Sequence, residues 1–210
     1  MNWDIYSDMC LLKQTMSRIC IACSKTFQQV TDDRCMFCGH QAQNMKCLQC
    51  VQWKRTIKHT ALYQYNDAMK EYFKAYKLWG GYHLKDVFKA ELLKEIKRMK
   101  HPLIVPIPST QEANEARGFD QVRTLLTGIP YKPLLICTNK KKQHQKNLNL
   151  KQRLESNQLF ELNNSCSLPT KDTKICLFDD IYTTGQTIFH AAECLKSQGF
   201  TDIVSMSIAR

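Results

Sequence analysis

Residues 175–188, ICLFDDIYTTGQTI, constrain this chain more than any other stretch. An apolar run the length of a buried strand leads into two adjacent acids, Asp179 and Asp180. A threonine-rich turn follows, and then a helical pattern over 186–198 that Gly199 closes. A strand that feeds a helix in this way belongs to a strand–helix–strand unit, and such units build parallel sheets with right-handed crossovers. The rest of the chain fits the same plan. Strands are expected at 61–65, 103–107, 134–137 and 202–208. A helix over 67–79 begins after the capping residue Asn66 and stops at Gly80-Gly81. A second helix over 84–100 carries Leu84, Val87, Phe88, Leu92 and Ile96 on one face.

In such sheets ligands sit beyond the carboxyl ends of the strands, which selects the loops after Ile107 and Phe178. In the second loop, Thr183-Thr184-Gly185-Gln186-Thr187 opens a helix, and a helix N-terminus offers unpaired N–H groups and partial positive charge to a phosphate. Gly185 permits a tight turn and the threonine hydroxyls add donors. The paired acids Asp179 and Asp180 are costly without partners, and vicinal ribose hydroxyls or a magnesium-bound sugar would supply them. Neither G-K-[ST] nor G-x-G-x-x-G occurs, which argues against a triphosphate P-loop or a dinucleotide fingerprint. In the first loop, Ser109 is placed to cradle a pyrophosphate, and Arg117 offers a guanidinium that grips phosphate oxygens two at a time.

The chain has 11 cysteines, and six of them form three C-x-x-C pairs. Cys35/Cys38 and Cys47/Cys50 are separated by eight residues, the spacing of two knuckles that close a tetrahedral thiolate site for structural zinc. The third pair, Cys20/Cys23, is a weaker candidate that would instead share a zinc with Cys35/Cys38. A small zinc-ribbon domain over 1–52 is therefore expected ahead of a second domain over 53–210.

The net charge of +11 attracts polyanions. Trp53, Lys54 and Arg55, with Lys58 and His59 beside them, mix aromatic and basic side chains as a single-stranded DNA surface does. Lys140, Lys141 and Lys142 open a basic stretch over 139–153 that reads as a solvated loop or exposed helix and would add phosphate contacts. No run of about 18 apolar residues occurs and no leader is seen, so a cytoplasmic protein is expected, reaching a membrane only through partners.

The acid pair followed by T-T-G-x-T resembles the phosphoribosyl pyrophosphate signature of the type I phosphoribosyltransferases. The resemblance implies an α/β fold, a type I phosphoribosyltransferase-like parallel sheet flanked by helices. It also implies that Asp179 and Asp180 contact the ribose hydroxyls while the residues from Thr183 to Thr187 bind the 5-phosphate. A second resemblance spans nearly the whole chain: cysteine ribbon, then VPIP, then R-G-F-D-Q from Arg117 to Gln121, then a basic stretch with Asn147 and Arg153, then the signature. That order is similar to the ComF family of competence proteins, including its GntX-like members. Asp120 stands where that family usually has asparagine. The family implies a competence protein that binds imported single-stranded DNA beside a ComFA-like helicase and holds phosphoribosyl pyrophosphate with Mg2+. It leaves open an active phosphoribosyltransferase, with Asp179 and Asp180 serving displacement of pyrophosphate, or a sugar-phosphate-sensing regulator.

Overall fold

A computed structural model describes residues 19–31, 33–40, 42, 45–78, 81–138 and 158–210. In chain order the strands are β1 (Lys58–Tyr63), β2 (Leu103–Pro106), β3 (Leu135–Cys137), β4 (Phe160–Leu162), β5 (Ile175–Ile181) and β6 (Ile203–Ala209). The helices are α1 (Ile21–Ser24), α2 (Leu48–Gln52), α3 (Asp67–Leu78), α4 (Lys89–Arg98), α5 (Gln111–Arg117), α6 (Gln121–Leu125) and α7 (Gln186–Lys196), with a 3-10 turn over Tyr82–Asp86.

Four strands form one parallel sheet in the order β1-β6-β5-β2, so the protein is α/β with helices on both sheet faces. The central strand shows why. Ile175 and Leu177 point to one side and Cys176 and Phe178 to the other, and all four are buried. A strand apolar on both faces needs cover on both. On one face α7 lays Ile188, Ala191, Ala192 and Leu195 over Ile175 and Leu177, together with Cys35, Cys38 and Cys50. On the other, Met69, Phe73 and Tyr76 of α3, Leu92 and Ile96 of α4, and Val122 and Leu125 of α6 cover Cys176, Phe178 and Met206.

Two expected elements take another form. Residues 134–137 do not join the main sheet: β3 pairs antiparallel with β4 in a separate ribbon. Leu135 is buried while Ile136 is half-exposed, so this apolar run has one covered face and not two. The helix expected over 84–100 is broken. Leu84 lies in the 3-10 turn, and α4 starts only after Phe88, whose ring packs into Phe27, Tyr63 and Tyr72.

Candidate functional site

Strands β2 and β5 are parallel neighbours, with Pro106 opposite Phe178 and the Ile107 N–H donating to the Phe178 carbonyl at 2.9 Å. Their carboxyl ends therefore open on the same edge, which puts residues 108–110 beside Asp179 and Asp180. Asp180 is buried, its Oδ2 ion-paired with Lys77 of α3 and its Oδ1 accepting from the Ile181 N–H at 2.7 Å. Asp179 is only partly buried, and its Oδ1 accepts from the Asp180 N–H at 2.9 Å. Desolvation first, and then the neighbouring Asp180 charge, hold the Asp179 carboxyl well above the usual carboxylate range, with Lys77 opposing. The pair thus has a cationic partner, Lys77, that the sequence did not announce. A buried acid demands a cation, but nothing in the linear pattern said which lysine would come.

Beyond the acids the chain runs over Tyr182, which is buried, and through Thr183 and Thr184, which are exposed. Gly185 is the N-cap of α7 at φ 71° and ψ 11°, in the left-handed region. A Cβ there would run into the Tyr182 hydroxyl, so sterics and backbone together require glycine. Thr187 lies in the first turn of α7. The Gln186 side-chain amide turns along the helix to His190, 2.9 Å between Nε2 atoms. Burial, then the charge of Arg55, lowers the His190 pKa, in keeping with a neutral ring that accepts this bond.

Arg55 and His59 occupy different places from those expected. Arg55, expected on an exposed surface, is buried and donates to the Thr184 carbonyl at 2.9 Å and the Gly185 carbonyl at 3.3 Å. His59 is also buried, with Ser205 and Ser207 on its two ring nitrogens. Trp53 is 48% exposed and Lys54 exposed, so these two do face solvent. Lys140, Lys141 and Lys142 lie outside the described residues.

On the neighbouring loop Ser109 is partly buried at the end of β2, and Thr110 caps α5 by accepting from the Ala113 N–H at 3.3 Å. Arg117 ends α5, with Nη1 donating to the Ala113 carbonyl at 3.4 Å. Asp120 does not aim into the site as a loose anion. Its Oδ1 caps α6, accepting from the Val122 and Arg123 N–H groups at 3.0 and 2.9 Å, and Arg123 pairs with its other oxygen.

The cysteine section closes into one knot. The sulfur atoms of Cys35, Cys38, Cys47 and Cys50 all lie within 4.8 Å of one another, with Cys38 and Cys47 sulfurs 3.7 Å apart. Zinc held at about 2.3 Å by four thiolates sets sulfur–sulfur edges of about 3.8 Å, so the four residues fit a structural zinc ion. The Cys47 N–H donates to the Cys35 sulfur at 3.3 Å. Burial pushes the Cys35 thiol up, but the N–H groups of Cys47 and Phe37 together with the Cys50 and Cys38 side chains bring it down to about 7, while burial raises the thiols of Cys38 and Cys50. Cys20, the N-cap of α1, and Cys23 within it are exposed and stand outside this cluster. The knot is fastened to the sheet: the Tyr182 hydroxyl donates to the Phe37 carbonyl, Arg210 Nε to the Cys38 carbonyl, and the His59 N–H to the Met36 carbonyl.

The fold and site define a class: an α/β protein whose four-cysteine knot backs a strand-end acid pair and a glycine-hinged threonine loop. The chain is 31% identical over 208 residues to the competence protein ComFC of Streptococcus pneumoniae (strain ATCC BAA-255 / R6), covering 98% of this chain and 93% of that protein. It is also 31% identical over 202 residues to the competence protein ComFC of Bacillus subtilis (strain 168), covering 90% of this chain and 82% of that one. No protein-family model matches the chain. The chain belongs to the ComFC family of competence proteins. No helix among the described residues is long and apolar enough to cross a membrane.

Proposed function

We propose that this competence protein holds a phosphorylated ribose, phosphoribosyl pyrophosphate with Mg2+ by preference, at the carboxyl end of β5, and handles imported single-stranded DNA. One observation carries the ligand: Asp179 and Asp180 end an interior parallel strand and are followed by a left-handed Gly185 at the mouth of α7. The exposed Thr183 and Thr184 hydroxyls and the first N–H groups of α7 take the 5-phosphate. Asp179, desolvated and crowded by Asp180, takes the ribose hydroxyls or the magnesium that arrives with the sugar. Asp180, neutralised by Lys77, braces the strand end. Calorimetry with phosphoribosyl pyrophosphate and Mg2+ tests this. The wild type is expected to bind and Asp179→Asn to lose about tenfold or more, since a hydrogen bond to a charged group is worth roughly 1.5–3 kcal/mol. No binding by wild type, or equal binding by the variant, removes the ligand.

For DNA, the net charge of +11 and the exposed Trp53 and Lys54 support stacking and phosphate contact. Binding to an oligonucleotide is expected to weaken linearly in log–log terms as salt rises. Absent or salt-insensitive binding removes the DNA role and leaves the sugar-phosphate site standing. A ComFA-like helicase is the expected partner in the same uptake.

A further inference from the structure

Arg55 stands behind the threonine loop, 8% exposed. Its Nη2 donates to the Thr184 carbonyl at 2.9 Å. Across a trans peptide the C=O and N–H point in opposite directions. Holding the Thr184 carbonyl toward Arg55 therefore turns the Gly185 N–H away from it, to the front of the loop. The Gly185 carbonyl accepts both from Arg55 Nη1 at 3.3 Å and from the Phe189 N–H at 2.9 Å, so one guanidinium also anchors the first turn of α7. The guanidinium lies 5.4 Å from the Trp53 ring and 5.6 Å from the Phe189 ring, which restrict its swing. Its charge is placed unusually. A cation beside a helix N-terminus adds to the positive field there instead of cancelling it, and burying it is costly. An incoming phosphate relieves both.

The same residue reaches back to the cysteine knot. The Arg55 N–H donates to the Cys50 carbonyl at 2.9 Å, one turn beyond α2. A second tie runs in parallel, because Tyr182 under Gly185 donates to the Phe37 carbonyl between Cys35 and Cys38. We infer that Arg55 is the positioning residue of the anion loop, and that through it the cysteine knot and the anion site share one equilibrium. This rests on the sugar-phosphate reading for its ligand. Coupling between two sites is reciprocal. Zinc in the knot tightens anion binding, and a bound anion raises zinc affinity by the same factor.

The test uses the full-length, zinc-loaded chain as wild type, Arg55→Lys and Arg55→Gln. Binding of phosphoribosyl pyrophosphate with Mg2+ is measured by calorimetry, zinc affinity by chelator competition with and without that compound, and the first turn of α7 by hydrogen exchange at the Phe189 amide. Arg55→Gln is expected to weaken binding by about tenfold or more, within the usual range of coupling. Arg55→Lys recovers part of the loss, because a point charge does not span two carbonyls as a planar fork does. In wild type the ligand raises zinc affinity, and in Arg55→Gln it does not. A folded, zinc-replete Arg55→Gln with wild-type affinity overturns the inference. If Arg55→Gln does not fold, Arg55→Lys decides: full zinc with weakened binding supports it, and wild-type affinity overturns it. If wild type binds no phosphoribosyl pyrophosphate, the ligand reading fails on its own. The exchange rate then decides: faster exchange at Phe189 in the variant supports positioning, and an unchanged rate overturns it.

Discussion

Held between two serines, the His59 ring has Nδ1 3.0 Å from Ser205 Oγ and Nε2 3.1 Å from Ser207 Oγ, with the Tyr182 ring centroid 4.0 Å away. The two hydroxyls also lie within reach of the Lys58 and Ala209 carbonyls. A neutral imidazole has one N–H, so one serine turns from its carbonyl to donate to the ring. Burial first, and then the Arg210 charge, lower the His59 pKa from 6.5 to about 3. The unfolded chain therefore takes up the proton first as pH falls, and the stability His59 contributes is complete above about pH 6.5 and lost between there and about pH 3. Asp179 pulls the other way, because its pKa is raised on folding. The clean measurement is the difference between wild type and His59→Gln. That difference in unfolding free energy is expected to fall by about 1.4 kcal/mol per pH unit as urea titrations move from pH 6.5 toward pH 4. A difference that is flat with pH places the charged ring in the folded state. Gly185 gives a second residue-scale test. Gly185→Ala meets both a left-handed φ of 71° and the Tyr182 ring, so it is expected to cost about 2 kcal/mol or more in urea unfolding.

At the scale of elements, the sequence was most readable where local and global signals coincide. The strand now bounded at Ile175–Ile181, the left-handed glycine and the helix behind it were legible because apolar run, turn chemistry and periodicity all changed at neighbouring residues. The knuckle pairing of Cys35/Cys38 with Cys47/Cys50 was legible because close spacing leaves few ways to bring four sulfurs together. What failed was set by distant partners. The run at 134–137 reads as a sheet strand until Phe160 is known to lie opposite Cys137. Arg55 reads as a surface cation until residue 184 is folded back over it, a contact 129 positions away. Asp120 shows the reverse, a side chain whose role is entirely local. Asparagine caps a helix about as well as aspartate, and the Arg123 pair is partly exposed and contributes little. Asp120→Asn is therefore expected to change stability by under about 0.5 kcal/mol, while Asp120→Ala costs about 1 kcal/mol by thermal unfolding. Equal losses in both variants would mean that the ion pair, not the cap, is what holds α6.

For the molecule as a whole, the decisive fact is that the cysteine knot and the sheet share a core. Cys35, Cys38 and Cys50 are packed in the same buried cluster as Ile175 and Leu177 of β5 and Ile188 of α7. Hydrogen bonds through His59, Tyr182, Arg210 and Arg55 cross between the knot and the sheet or loop. Elements joined in one core unfold together when no weak boundary separates them. Binding free energy for metal at such a site is folding free energy, so it is felt throughout that core. Wild type is expected to carry one tightly held zinc per chain, retained by Cys20→Ser/Cys23→Ser and lost from Cys38→Ser. Removing zinc with a chelator should lower the midpoint of a single urea transition, and in the zinc-loaded chain zinc release, far-UV circular dichroism and tryptophan fluorescence should coincide. Zinc release well before the loss of sheet signal would show that the knot melts alone. In that case its ties through Tyr182 and Arg55 are too weak to carry metal binding into the anion loop.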